Sequence, residues 1–221
     1  MGQAVEDYAK AIYTLAAASL DGTASTNALA VRLGVTPASA SAMVKRLDAL
    51  GLVTNVPYHG FRLTEAGNRV ALEILRHHRL LELFLAEELG MPWDRVHDEA
   101  EVLEHVLSDE LEELIAVKLG EPRWDPHGDP IPTLTGEVAE AATQALTTME
   151  IGASGRLSRI SDTDPEVLRY LSARGIALGD RFEVVGRQPF DGPTFVRFQG
   201  TDEAQALGGR LASSMYAEVK P

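Results

Sequence analysis

Residues 96–105 read V-H-D-E-A-E-V-L-E-H and place His97, Glu101, Glu104 and His105 at relative positions 0, 4, 7 and 8. At ~100° per residue on an α-helix, these four side chains fall within an arc of roughly 100°. In an ordinary amphipathic helix that arc would bury apolar residues, and carboxylates one turn apart repel each other. Two imidazoles beside the acids make a divalent cation the natural neutralising partner. R-H-H-R-L-L-E, upstream, adds His78 and Glu82 at i, i+4, again on one face. Ligand candidates on two adjacent helices have the make-up of a metal site. The chain has no Cys, so any metal must take oxygen and nitrogen ligands, and disulfides, zinc ribbons, iron–sulfur clusters and thiolate catalysis are excluded. His77 and His59 have no acid on the same face and read as surface residues, and His127 in a Pro-rich segment reads as structural.

The elements that must position these groups can be read along the chain. Its 221 residues suffice for one large domain or a few small ones. A hydrophobic share of 45% with 24% charged residues is ordinary for a globular protein. No uncharged apolar run approaches the ~20 residues needed to span a bilayer, and the N-terminus lacks the basic and apolar regions of a secretory signal, so the expected location is cytoplasmic. The net charge of -13 is unevenly spread. Residues 1–62 hold five basic side chains (Lys10, Arg32, Lys45, Arg46, Arg62) against four acidic ones (Glu6, Asp7, Asp21, Asp48), whereas 63–121 carry five basic and fifteen acidic. Only the first third suits DNA, which demands that phosphates be neutralised, and the second suits a cation.

Apolar spacing predicts a first helix over 4–19, ended by Asp21-Gly22. Ser25 or Thr26 caps a short helix reaching Leu33. G-V-T-P then gives a turn, with Thr36 as N-cap and Pro37 at the first position of a helix reaching Leu50. L-V-T-N-V and F-R-L around Pro57-Tyr58-His59-Gly60 form a hairpin, completing a winged helix-turn-helix. Thr64 and Glu65 open a long helix to Gly90, with Val70, Leu72, Leu75, Leu80, Leu83 and Phe84 apolar. A second long helix is expected from about Trp93 to Leu119, burying Val96, Leu103, Val106, Leu107, Leu111 and Leu114; such paired helices suit a dimer interface. Residues 122–132 contain four prolines and mark a boundary or irregular crossing. A helix over roughly 136–148 follows, then short strands in R-L-S-R-I, R-F-E-V-V-G and T-F-V-R-F, interrupted by a helix at 165–173. The expected fold is mainly α with α+β: a winged helix-turn-helix over 1–64, a helical metal-binding and dimerisation domain over 65–150, and a small SH3-like or FeoA-like β-barrel over 151–221.

In order and combination, E-D-Y-A-K-A-I-Y, R-H-H-R-L-L-E, V-H-D-E-A-E-V-L-E-H-V-L-S-D, D-P-H-G-D-P-I-P and R-I-S-D-T-D-P-E-V-L-R-Y-L resemble the diphtheria-toxin-repressor family of metal-dependent transcriptional repressors over nearly the whole chain. The resemblance implies a primary metal site of Asp7, Glu101, Glu104 and His105. It implies a second site of His78, Glu82 and His97 with a C-terminal acid, best matched by Asp162 and flanked by Asp164 and Glu166. Iron-responsive relatives place Met and Cys where this chain has Asp7 and Glu101. Carboxylates suit harder ions, so the resemblance is to the manganese-responsive, three-domain branch. Two-domain manganese regulators carry a second acid one turn after the aspartate. Here that position is Lys10, which argues against a dinuclear cluster of their form.

The implied function is a manganese(II)-dependent repressor of metal-uptake genes, a homodimer on a palindromic double-stranded operator, with no membrane and no small organic substrate. Iron(II) is the alternative signal, and other divalent ions are expected to bind in vitro. The DNA-facing candidates are Thr36, Ser39, Ser41, Ala42, Lys45 and Arg46, with Arg62 and His59 in the wing; iron-responsive relatives have Gln where this chain has Ala42. The rival readings are a helical di-iron carboxylate enzyme, which needs Glu-x-x-His rather than the Glu-x-x-x-His seen here, and a metal-free winged-helix interaction module.

Overall fold

A computed structural model describes residues 2–161, 164–190 and 192–219. It divides into two compact units. The first comprises Met1–His78, Glu101–Glu112 and Pro132–Glu137, the second Arg79–Ala100, Glu113–Ile131 and Val138–Pro221.

In the first unit, α1 (Gln3–Ala17), α2 (Thr26–Arg32) and α3 (Pro37–Ala49) are followed by a hairpin of β1 (Val53–Val56) and β2 (Gly60–Leu63). The local signals explain the boundaries. Ser25 Oγ accepts from Ala28 N to start α2, and Thr36 Oγ1 accepts from Ser39 N with Pro37 leading α3. Between them Gly34 adopts φ +63°, a left-handed turn conformation that only glycine takes without strain. β1 and β2 pair antiparallel from Val53↔Leu63 to Val56↔Gly60, and Ala24 bridges to Phe61, which ties the wing to the helices. Ile12, Leu29, Ala40, Leu47, Leu52 and Phe61 form one buried core. The winged helix-turn-helix is therefore present as the sequence predicts.

α4 (Glu65–Glu87) begins where Thr64 Oγ1 accepts from Gly67 N. The single helix expected over 93–119 is instead two, α5 (Val96–Leu103) and α6 (Asp109–Lys118). Apolar periodicity runs through the break, but Ser108-Asp109 is an N-terminal signal: Ser108 Oγ accepts from Leu111 N, and Asp109, Glu110 and Glu112 load the first turn of α6 with acid, where the helix dipole favours it. Glu104 and His105 consequently stand in the turn after α5. Of the residues expected to be buried here, Val96 is buried and Leu107 half-buried, but Leu103, Val106, Leu111 and Leu114 are exposed.

In the second unit β3 (Thr143–Ala145), a 3-10 turn at Leu146–Thr148, β4 (Ser154–Ile160), α7 (Pro165–Ala173), β5 (Arg181–Arg187), β6 (Thr194–Phe198), β7 (Gln205–Leu207), α8 (Gly209–Ser214) and β8 (Met215–Val219) follow one another. The antiparallel sheet runs β3-β8-β4-β5-β6-β7. Leu157, Ile160, Leu171, Val184, Val196 and Met215 are among its buried core. The helix expected over 136–148 does not form. Its Ala-rich segment is drawn into the ladder as β3, with Thr143↔Glu218 and Ala145↔Tyr216, so tertiary pairing overrides helix propensity. β7 and β8, with little local signal, were not foreseen.

Candidate metal centre

The first cluster is assembled from α1 and the turn after α5. Val5, Tyr8, Ala9 and Ile12 bury one side of α1 in the winged-helix core, so Glu6, Asp7 and Lys10 fall on other sides of the helix. Asp7, Glu104 and His105 each offer a ligand atom within 4.8 Å of the others. His105 Nε2 lies 2.8 Å from Asp7 Oδ1 and 3.5 Å from Glu104 Oε1, yet it is buried and makes no hydrogen bond among the described residues. Its other nitrogen, Nδ1, is 2.8 Å from Glu6 Oε2. A proton on Nδ1 donated to Glu6 leaves the Nε2 lone pair facing the two carboxylates, the tautomer a metal ligand needs. An unbonded buried nitrogen converging with two carboxylates fits a divalent cation.

Glu104 is the hub. Its side chain is 0% exposed, with Oε1 2.5 Å from Lys10 Nζ and Oε2 hydrogen-bonded to His78 Nδ1. Lys10 also reaches Glu101 Oε1 at 2.7 Å, and His78 Nδ1 lies 4.0 Å from Glu101. Burial pushes the Asp7 carboxyl above its ordinary value, opposed by His105 and Lys10 and reinforced by Glu101 and Glu104. Four carboxylates here, Glu6 included, face one ammonium and two imidazoles, an excess of negative charge that a bound cation relieves. Of the predicted primary residues, Asp7, Glu104 and His105 thus converge, whereas Glu101 is linked to them through Lys10 and lies 4.0 Å from His78 Nδ1.

A second cluster lies in the second unit and was missed. Glu82, Asp125 and His127 are all buried and offer ligand atoms within 4.8 Å of one another. The loop of 125–129 is locked by its own bonds: Asp125 Oδ1 accepts from His127 N at 2.8 Å and Asp129 N at 2.9 Å. Gly128 has φ +84°, and a Cβ there would lie 2.0 Å from Ser158 O, so only glycine lets the loop pack on β4. His127 Nε2 donates to Trp93 O at 2.9 Å, leaving Nδ1 3.7 Å from Glu82 Oε2. Burial pulls the His127 imidazole down, but its bond to Glu82 and the charges of Glu82 and Asp125 outweigh it and raise it to about 9. Burial, then the charges of Asp129 and Glu82, push the Asp125 carboxyl up, against Arg79 and His127. Three buried carboxylate and imidazole groups poised in this way also fit a cation.

Of the second predicted set, Glu82 and His97 are paired at 3.1 Å in the second unit, His78 belongs to the first, and Asp162 lies outside the described residues. Asp164 caps α7 and pairs with Arg210. His77, expected at the surface, is buried: its Nδ1 bonds Glu104 O and its Nε2 bonds Glu112, which also takes the Arg76 guanidinium. No local pattern signals either His77 or the pairing of Glu82 with residues 43 and 45 positions later.

On the DNA-facing side, Ala42, Lys45 and Arg46 are exposed on α3 and Ser41 is half-buried. Thr36 and Ser39 are exposed too, but their hydroxyls are bonded to each other and to the helix cap. Arg62 is exposed, and His59 is held at 2.8 Å by Asp21, whose carboxyl is lowered by bonds from Ser19, Thr23 and His59.

A winged helix followed by helices bearing acid–imidazole clusters defines a DNA-binding regulator with the ligands of a metal sensor. Residues 1–61 match the iron-dependent repressor N-terminal DNA-binding domain, 64–133 the iron-dependent repressor metal-binding and dimerisation domain, and 144–219 the FeoA domain. The chain is 32% identical over 174 residues to the diphtheria toxin repressor of Corynebacterium jeikeium, covering 73% of this chain and 72% of that protein. Among solved structures, a manganese-dependent transcriptional repressor in complex with manganese is 42% identical with a TM-score of 0.91, over 98% of this chain and all 100% of the other. ScaR with bound Zn2+ is 29% identical with a TM-score of 0.82, over 97% and 98%. The chain belongs to the diphtheria-toxin-repressor family of metal-dependent transcriptional repressors, which are regulators and not enzymes. This membership sets aside the di-iron enzyme reading.

Proposed function

We propose that this chain is a manganese(II)-dependent repressor of metal-uptake genes. A divalent ion held by Asp7, Glu101, Glu104 and His105 ties α1 to the turn after α5 and holds the DNA-competent state. The observation that carries this reading is His105 Nε2, buried without a hydrogen bond between Asp7 and Glu104. Asp7 comes from the helix that packs under α3, whereas Glu104 and His105 come from ~97 residues later, so one ion fixes the helical segment to the DNA-reading unit. Glu82, Asp125 and His127 hold a second ion, with His97 bonded to Glu82.

Manganese is favoured over iron because each ligand is a carboxylate or imidazole, without Met or Cys, and because the manganese-bound relative is 42% identical over nearly the full chain. The exposed apolar residues Val102, Val106, Leu111, Leu114 and Val117 supply the homodimer face. Two copies of α3 then meet half-sites of a palindromic operator one DNA turn, ~34 Å, apart. Phosphates are contacted by Lys45, Arg46 and Arg62, with Thr36, Ser39 and Ser41 near the backbone and Ala42 restricted to a thymine methyl.

The test is an operator shift assay on chelator-treated protein with and without manganese(II) or iron(II). Manganese-dependent binding that Glu104→Ala abolishes is the expected result. Binding that ignores metal overturns the reading in favour of a metal-free interaction module.

A further inference from the structure

A cavity of about 690 Å3 in the second unit includes no residue of either acid–imidazole cluster. Its walls come from β4, β5, β6 and β8, where alternation sends Leu157, Phe182, Phe198 and Ala217 into the core and leaves Arg156, Arg181 and Arg197 exposed. Arg156 and Arg181 stand directly opposite each other in the β4–β5 ladder, ~5 Å apart at Cβ, a like-charge pairing that costs stability unless an anion lies between them. The neighbouring acids do not cancel this charge. Glu183 lies 3.5 Å from Arg197 Nη1, but among the described residues Arg156 and Arg181 form no ion pair, although Glu218 faces Arg156 across the β4–β8 ladder. Arg156 is also held in place: its Nε donates to Gly179 O at 3.1 Å, and a Cβ at Gly179 would lie 3.1 Å from Nη2. In a chain of net charge -13, residues 151–221 hold nine basic and nine acidic side chains, and eight of the nine basic ones are arginine.

We propose that this cavity binds a phosphate-bearing small molecule, whose phosphoryl group is gripped by the guanidinium groups of Arg156 and Arg181 with Arg197 at its edge. A guanidinium presents a planar fork of N–H donors that matches phosphate and carboxylate oxygens two at a time. One fork satisfies a carboxylate, so three around one space fit the larger oxygen count and double charge of a phosphoryl group. The volume is that of a small-molecule site. Glu183 and Glu218 in the same wall oppose a long polyanion such as DNA, which needs its phosphates neutralised along a continuous basic track. The site draws on neither proposed ion, so it stands or falls apart from the metal reading.

The experiment is isothermal titration calorimetry of the chelator-treated full chain with inorganic phosphate, pyrophosphate, ADP and malonate, ionic strength being held constant with chloride. Wild type, Arg181→Gln, Arg156→Gln and Arg174→Gln are compared after their folding is checked by circular dichroism; Arg174 lies outside the cavity, stacked on Tyr170. Saturable binding of pyrophosphate or ADP at one site per chain is expected. It should weaken about 10-fold or more in R181Q and R156Q, the ordinary worth of a charge-assisted hydrogen bond, and stay unchanged in R174Q. R181Q removes a guanidinium that makes no hydrogen bond among the described residues, so it carries the test should R156Q fold poorly. No saturable binding of any of the three phosphates overturns the inference, as does binding that R181Q leaves unchanged. Equal weakening in R174Q overturns it in favour of general charge screening, and malonate binding as tight as that of pyrophosphate overturns the phosphate assignment.

Discussion

The two acid–imidazole clusters differ in how they are built. The first draws Asp7 from α1 and Glu104 and His105 from a turn almost a hundred residues later, leaves Glu101 41% exposed, and carries its own ammonium. The second is buried throughout, joins Glu82 of α4 to a proline-braced loop, and has Arg79 3.6 Å from Asp125 as its nearby cation. An ion in the first would join segments far apart in sequence that ion pairs from Lys10 to Glu101 and Glu104 and from Glu6 to His105 already bring together. An ion in the second fills a place whose loop is already locked by Asp125 and by the close approach at Gly128. On the proposed reading, the first would respond to metal and the second would keep it.

The sharpest break in that contrast is His105→Ala. It should remove the whole metal-dependent gain in operator affinity, about 5- to 150-fold for ordinary coupling, as read by fluorescence anisotropy across a manganese series. Asp125→Asn should instead leave a metal-dependent shift in DNA binding and abolish much of the thermal stabilisation by metal. Saturation at 100 times the dissociation constant is worth about 2.7 kcal/mol, which calorimetric melting would detect. If D125N removes the DNA response and H105A removes the stabilisation, the roles are reversed.

The pH dependence sharpens the comparison further. His127 is raised to about 9 and Asp125 is raised by burial, so both tend to hold protons that a metal must displace. Manganese affinity of the second cluster, isolated in the H105A background, should climb as pH goes from about 6 toward 9, with protons released. Titrations in buffers of different ionisation enthalpy measure that release.

The smallest effect belongs to His77, which stands in neither ligand cluster. Burial lowers the imidazole, but bonds to Glu112 and to Glu104 O outweigh it, so the folded value is raised above 6.5. A raised value stabilises the fold below the unfolded pKa and ceases to do so as pH rises through the folded one. The metal-free protein should therefore melt lower as pH increases above about 6.5, and His77→Gln should flatten that decline. Glu112 is lowered by His77 and Arg76 despite its burial, so its contribution runs the opposite way, fading only in acid.

The winged helix was legible because its punctuation is local: Thr36-Pro37 opens α3, Gly34 makes the turn, and alternating residues flank Tyr58-His59. α7 was legible for the same reason, through Asp164-Pro165. Helical spacing singled out Glu101, Glu104 and His105, and the family resemblance added Asp7, although Glu104 and His105 stand just beyond the end of α5. His105 and Glu104 keep their neighbours because α5 ends only just before them. The second cluster was not legible. Nothing in D-P-H-G-D points to Glu82, since the pairing is made by the path of the chain. β3 was misread because an alanine-rich segment favours helix until β8 offers it a ladder.

α1 presents one side to the hydrophobic interior of the winged helix and another, with Asp7, to the proposed ion site. A rod gripped on both sides cannot roll to satisfy one grip without straining the other, so on the proposed reading the arrival of a charge at Asp7 would be passed on as a push along a stiff body rather than absorbed where it lands. The fidelity of the signal then depends on the rigidity of fifteen residues, and softening them with a mid-helix glycine would blur the response while leaving every ligand in place.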